Sequence, residues 1–286
     1  YEAESTEIYT HGPDDVLPAD EFAELPNEIS IGGATHAIRC DGDGVSGKRV
    51  QLLYVRAENV TDRYTTVLEQ IRAVARDVDA IFDASAHETG GHRHIRIVTN
   101  APCQINVLSI VVPAGADGTL AGTISALRSQ GFTDPNRKYL MFVDTKVYCG
   151  IASTVGDSRV GSQNRSNSLA GYARVDNGCW DAISAAHELT HNLGGIQKDA
   201  PNTSHGWHCT DEFDIMCYSD APHFPTVRYI CNQYRFTLLL DCNHDDYFHT
   251  NPPAESYLAT HWNVADSEFL LADEDDHAAL PELRMT

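Results

Sequence analysis

The stretch that decides the fold is Asp181-Ala-Ile-Ser-Ala-Ala-His187-Glu188-Leu189-Thr190-His191-Asn192-Leu193-Gly194-Gly195. Asp181, Ile183, Ala185, Ala186 and Leu189 are compatible with a helix, and Gly194-Gly195 stop it. Positions four apart on a helix share a face, so His187 and His191 can grip one Zn²⁺, with Glu188 beside the water that such an ion holds. In a chain with 14 histidines, the competing reading is a chance pentapeptide with surface imidazoles. Upstream, His87-Glu88-Thr89-Gly90-Gly91-His92 has a different spacing. Its glycine pair disfavours helix and its two rings would not share a face, so it reads as a turn into a strand.

Working outward, strands and helices alternate. Arg49–Arg56 reads as a buried strand. Asp62–Ala84 repeats apolar residues at helical spacing, with Thr61 or Asp62 as N-cap. His94–Thr99 is a second strand, and a helix from Thr119 to Gln130 ends at Gly131. Tyr139–Asp144 is a third strand and Val147–Ile151 a fourth. A polar loop spans Gly156–Gly171, and Tyr172–Val175 reads as a short edge strand. This alternation predicts an α/β (α+β) fold with a mixed sheet. After Gly195 the chain turns loop-rich, with a last helical segment expected over Tyr257–Leu271 and a solvated acidic end at Asp273–Asp276.

Beyond His191 the sequence continues to Gly194 and later to Asp214-Ile215-Met216-Cys217-Tyr218. Together with His187-Glu188-Leu189-Thr190-His191, these residues resemble the metzincin clan of zinc metallopeptidases, in particular a secreted bacterial metzincin-like group. Gly194 matches the glycine that ends the zinc helix, and Met216 matches the methionine of the turn beneath the metal. Tyr218 resembles the tyrosine that some members place near zinc. The resemblance implies a mixed twisted sheet with backing helices, an active-site helix and a loop-rich, disulfide-bonded C-terminal subdomain. It implies an upper subdomain of about 49–195 and a lower one of about 196–286, preceded by an arm over 1–48. The tight match covers about 30 residues. The pattern departs at the third ligand, where Gln197 stands three residues after the glycine, and a neutral amide is a weak zinc ligand. His208 and His205 are the alternatives, His208 lying next to Cys209 and eight residues before Met216.

The 286 residues suit one large domain or two small ones. With 41 acidic against 20 basic residues, the net charge is −21, which disfavours nucleic acid and anionic membranes as partners. No run of about 18 apolar residues is present to span a bilayer. Residues 1–38 contain no Lys or Arg and read as an extended arm or pro-segment remnant. Eight cysteines without a CxxC pattern suggest four disulfides in a secreted, processed protein. Proximity favours Cys149–Cys179 and Cys231–Cys242. Cys40 carries a second idea, that of a cysteine in the arm that blocks zinc. Asp241, Asn243 and Asp245 alternate as oxygen donors that could take Ca²⁺, although no Gly or bidentate Glu completes a loop pattern and a solvated turn competes with that reading.

The expected activity is a zinc endopeptidase acting on protein or peptide as a monomer. Zn²⁺ would lower the pKa of water towards about 7, with Glu188 moving the proton. Tyr218 would hydrogen-bond the oxyanion, and Met216 would form the apolar floor. The alternatives are a zinc hydrolase of non-peptide amides and a non-catalytic disulfide-bonded binding protein.

Overall fold

A computed structural model describes residues 9–10, 37–231 and 239–272. Most of the arm and the acidic end at Asp273–Asp276 lie outside the described residues. The elements, in chain order, begin with β1 (Tyr9–Thr10), β2 (Arg49–Ala57), α1 (Tyr64–Glu88) and β3 (Arg93–Ile95). Next come β4 (Thr99–Asn100), β5 (Gln104–Ile105), β6 (Val107–Val112), α2 (Leu120–Ser129) and β7 (Arg137–Val143). They continue with β8 (Gly150–Thr154), α3 (Arg165–Ser168), β9 (Gly171–Asp176) and α4 (Ala182–Asn192). The loop-rich remainder holds β10 (Asp211–Glu212), β11 (Arg228–Tyr229) and β12 (Leu270–Ala272).

The main sheet runs β1-β8-β9-β7-β2-β6. Strands β6, β2, β7 and β9 are mutually parallel, while β8 runs antiparallel to β9 and β1 antiparallel to β8. Parallel strands need both faces covered, and β2 is accordingly buried along almost its whole length. Side chains alternate between two cores. Leu52, Tyr54, Leu140 and Phe142 pack with Ile71 and Val78 of α1 and Leu189 of α4. Leu53, Val55, Met141 and Val143 pack on the other face with Leu120 and Leu127 of α2. The α/β architecture with a mixed sheet is therefore present as the alternation predicts.

Four local expectations change. The strand at 171–176 lies between β7 and β8, so it is an interior strand, and β8 is the antiparallel strand beyond it. The backbone of Tyr9–Thr10 pairs with the outer side of β8, opposite Thr154 and Ser153. The stretch expected as one strand at 94–99 is broken up. Arg93–Ile95 pairs with β12, while Val50 exchanges hydrogen bonds with Arg96 and Val98. The strand that joins the main sheet next to β2 is β6. Helix α1 starts later and ends later than its apolar pattern suggests. Its first residue follows Arg63, which makes no side-chain cap, and Gly90 at φ +83° turns the chain away.

The expected C-terminal helix is replaced by two short 3₁₀ turns, Tyr257–Ala259 and Val264–Asp266, and then β12. Asn263 explains the break: its Oδ1 accepts from the N–H groups of Ala265 and His249, a local bond that competes with a helical ladder. Trp262 donates from Nε1 to the Leu193 carbonyl and pins this segment under the end of α4.

Four disulfides link the eight cysteines: Cys40–Cys103, Cys149–Cys179, Cys209–Cys217 and Cys231–Cys242. The two pairs expected from proximity are present. No cysteine is free, so the idea of Cys40 as a zinc-blocking thiol is overturned by its bridge to Cys103. Among the described residues, no helix is long and apolar enough to cross a membrane.

Candidate metal centre

Helix α4 carries the first two imidazoles. Asp181 caps it, accepting from the Ser184 N–H at 2.8 Å, and such a cap typically contributes about 1 kcal/mol. The helix is stopped at Gly194, whose φ of +90° is costly for any residue with a Cβ. A Cβ there would also lie 2.4 Å from Ser166 Oγ and 2.6 Å from Trp262 Nε1. Between these ends, every residue from Ala185 to Asn192 is buried.

The structure brings His187, His191 and His208 together. The Nε2 atoms of His187 and His191 are 3.0 Å apart, and His208 Nε2 is 3.2 Å from each. Nitrogens bound to one tetrahedral Zn²⁺ would be about 3.3 Å apart, given bonds of about 2.0–2.1 Å. The opposite ring nitrogens say which form these imidazoles take. His187 Nδ1 lies 2.7 Å from the Ile215 carbonyl, which can only accept, so Nδ1 carries the hydrogen. His208 Nδ1 lies 2.6 Å from Asp220 Oδ2 and donates in the same way. In the neutral rings both Nε2 atoms are therefore bare lone pairs. Two buried lone pairs facing each other at 3.2 Å repel unless a proton or a metal ion lies between them. The donor set thus fits a zinc ion, and its two outer hydrogen bonds are the kind that orient metal-binding histidines.

Asp220 suits this role. Burial raises its pKa, but hydrogen bonds from His208 and Ser204 outweigh burial and leave it lowered, so the carboxylate stays ionised. The loop bearing His208 is strapped to the methionine turn by Cys209–Cys217. Backbone bonds run from the Cys209 N–H to the Met216 carbonyl and from the Tyr218 N–H to the Cys209 carbonyl. Met216 is fully buried in the core. The Tyr218 ring lies 4.0 Å from the His208 ring and 5.9 Å from that of His187, centroid to centroid.

Gln197 and His205 are placed elsewhere. Gln197 Oε1 accepts from the Asp157 N–H, and its Nε2 donates to the carbonyls of Val155 and Gly194. Its amide ties the 155–157 loop to the helix end. His205 is exposed, with Nδ1 3.0 Å from the Lys198 carbonyl.

Glu188 is fully buried. Its carboxylate lies against Gly150 on β8, where an added Cβ would come within 2.0 Å of Oε1. The helix therefore presents Glu188 to the antiparallel strand at the side of the sheet. Gly150, Asp220 and the Ile215 carbonyl were not found from sequence. Asp220 stands 12 residues after the histidine it holds, and no spacing rule connects them.

The oxygen donors expected for calcium do not form a set. Asp241 Oδ1 accepts from the N–H groups of Asp245 and Asp246, and Oδ2 from those of Tyr247 and Phe248. Asn243 is exposed. Asp241 organises a turn, and its lone pairs are taken by backbone.

No family model matches the chain, and no curated protein matches it. Several solved structures show partial likeness. One is wild-type OgpA from Akkermansia muciniphila in a P 21 21 21 crystal, at 10% identity and TM-score 0.38, covering 76% of this chain and 67% of that one. In the P 41 21 2 form the figures are 12% identity and TM-score 0.36, covering 52% of this chain and 48% of that one, so this match spans about half of OgpA's length. Another is metalloproteinase-II from Bacteroides fragilis, at 15% identity and TM-score 0.28, covering 75% of this chain and 59% of that one. The functional reading rests on the residues of this chain.

Proposed function

We propose that this chain is a secreted zinc-dependent endopeptidase of metzincin type, with residues 49–286 forming its catalytic domain. The observation that carries the reading is the buried convergence of three imidazole Nε2 atoms, two of them on rings whose Nδ1 faces an acceptor, the Ile215 carbonyl and Asp220. His187, His191 and His208 would hold the ion. When bound, zinc supplies Lewis-acid polarisation of a carbonyl and lowers the pKa of water.

Glu188, buried beside Gly150, takes the proton of the attacking water and returns it to the leaving amine. Tyr218, held over the His208 ring, donates its hydroxyl hydrogen bond to the developing oxyanion. Met216, buried in the core, would form the apolar floor under the ion and contribute shape, not charge. A peptide would lie along β8, the strand that carries Gly150. Tyr9–Thr10 pair with this strand, which supports the view that it accepts an added extended segment. Four disulfides suit a protein that works in an oxidising compartment.

The test is Glu188→Gln in the full chain, assayed on casein alongside zinc content. Loss of hydrolysis with one zinc retained per chain is expected. Unchanged hydrolysis would remove Glu188 from the chemistry. Hydrolysis of small amides with casein left intact would favour a non-peptide substrate.

A further inference from the structure

A second group of acids, buried at Asp211 and Asp246 and half-buried at Asp245, has no part in the chemistry above. Asp211, Asp245 and Asp246 each direct a carboxylate oxygen into one space, and the three oxygens lie within 4.8 Å of one another. Asp211 is fully buried. Its Oδ2 is enclosed and receives no hydrogen bond. Its Oδ1 lies 3.6 Å from Cys217 Sγ, and that sulfur is bridged to Cys209 and has no proton to give. Burial and the neighbouring carboxylates Asp246, Asp214 and Asp241 all disfavour the ionised form of Asp211, and Asp246 lies within hydrogen-bond reach of it. Two carboxylates this close in a protein interior must share a proton or hold a cation between them.

Asp245 and Asp246 face Asp211 from the turn that Asp241 organises. Asp246 Oδ1 accepts from the Asn202 N–H at 2.7 Å, and Asp245 Oδ1 from Asn202 Nδ2 at 3.4 Å. Asp246 also turns towards Asp211 as a side-chain hydrogen-bond partner.

We propose that Asp211, Asp245 and Asp246 form a structural calcium site. Hard carboxylate oxygens without imidazole or thiolate suit Ca²⁺, which completes its six to eight ligands with carbonyls and water. The site joins two segments far apart in sequence. Asp211 opens β10 three residues after His208, and Asp245 and Asp246 lie in the turn beyond Cys242. Calcium here would fasten the loop that carries the third imidazole to the C-terminal part of the chain. The inference stands on a separate set of residues from the zinc reading and survives its failure.

The experiment uses the full chain, stripped of divalent ions, given one equivalent of zinc, and melted with and without calcium chloride. A calcium concentration about 100-fold above Kd should raise Tm by roughly 5–10 °C. Asp211→Asn keeps the shape of the side chain and removes the buried charge. It should lose the calcium response while melting no lower than the wild type does without calcium. Asp245→Asn, at a half-buried position, should also lose the response. A wild-type Tm that calcium does not move would overturn the proposal. So would a calcium shift of equal size in both variants.

Discussion

Two stretches of this chain begin with His-Glu and soon return to a histidine, and the structure puts them to different uses. His187-Glu188-Leu189-Thr190-His191 lies inside a capped helix, fully enclosed, with ring nitrogens turned towards each other and towards His208. His87-Glu88 closes α1, after which Gly90 at φ +83° breaks the helix before His92. His92 does reach a cluster, with Asp83 and His94, but a half-buried one. Its Nδ1 lies 2.8 Å from Asp83 Oδ1, and its ring stacks on His94. There His92 Nδ1 and both ring nitrogens of His94 face carboxylates and not one another. At the first site, imidazole lone pairs face one another. The difference teaches that the partner of each ring nitrogen, more than the count of histidines, marks a metal centre.

Three substitutions would break or sharpen this contrast. The largest effect is expected from Gly150→Ala, since the new methyl would fall 2.0 Å from Glu188 Oε1. A displacement of about 1 Å at a reacting group can lower the rate about 100-fold. Hydrolysis should drop by that order with zinc content unchanged, and full activity would show that Glu188 does not need its place against β8. Asp220→Asn should come next. It weakens the hydrogen bond that fixes the His208 ring, and zinc affinity, read by competition with a chromophoric chelator, should fall about 10–100-fold. An unaltered affinity would mean that His208 needs no outer partner. The smallest effect is expected from His92→Ala, which loses a partly exposed imidazole–carboxylate pair whose contribution is about 0–1 kcal/mol. Zinc stoichiometry and hydrolysis should stay as in the wild type, and a lost zinc would erase the distinction between the two stretches.

The contrast also marks how far the sequence could be read. The helix at 182–192 was legible because its caps, its apolar residues and its four-residue histidine spacing all agree. Strands β2 and β7 were legible because both faces are buried and the apolar runs are nearly continuous. The order of strands was not. Tyr172–Val175 and Val147–Ile151 carry similar side chains, and which of them lies outermost depends on pairing that no local pattern encodes. The C-terminal segment misled because Tyr257–Leu271 has apolar residues at plausible intervals, yet Asn263 spends its side chain on local backbone. In the site, spacing alone reached His187, Glu188 and His191. His208 needed the chain to return over 16 residues of loop from Asn192, and Asp220 needed a further return. Those two positions depend on Cys209–Cys217 and on the turn around Asp214, Met216 and Tyr218.

The central claim is that His187, His191 and His208 jointly hold one ion on which hydrolysis depends. Its most direct test is elemental analysis of wild-type and His208→Ala protein after the same dialysis, with activity measured on the same samples. The account predicts one zinc per chain and active enzyme for the wild type, and neither for His208→Ala. A wild type that hydrolyses peptide without stoichiometric metal, or a His208→Ala variant that keeps its zinc and its activity, would contradict it.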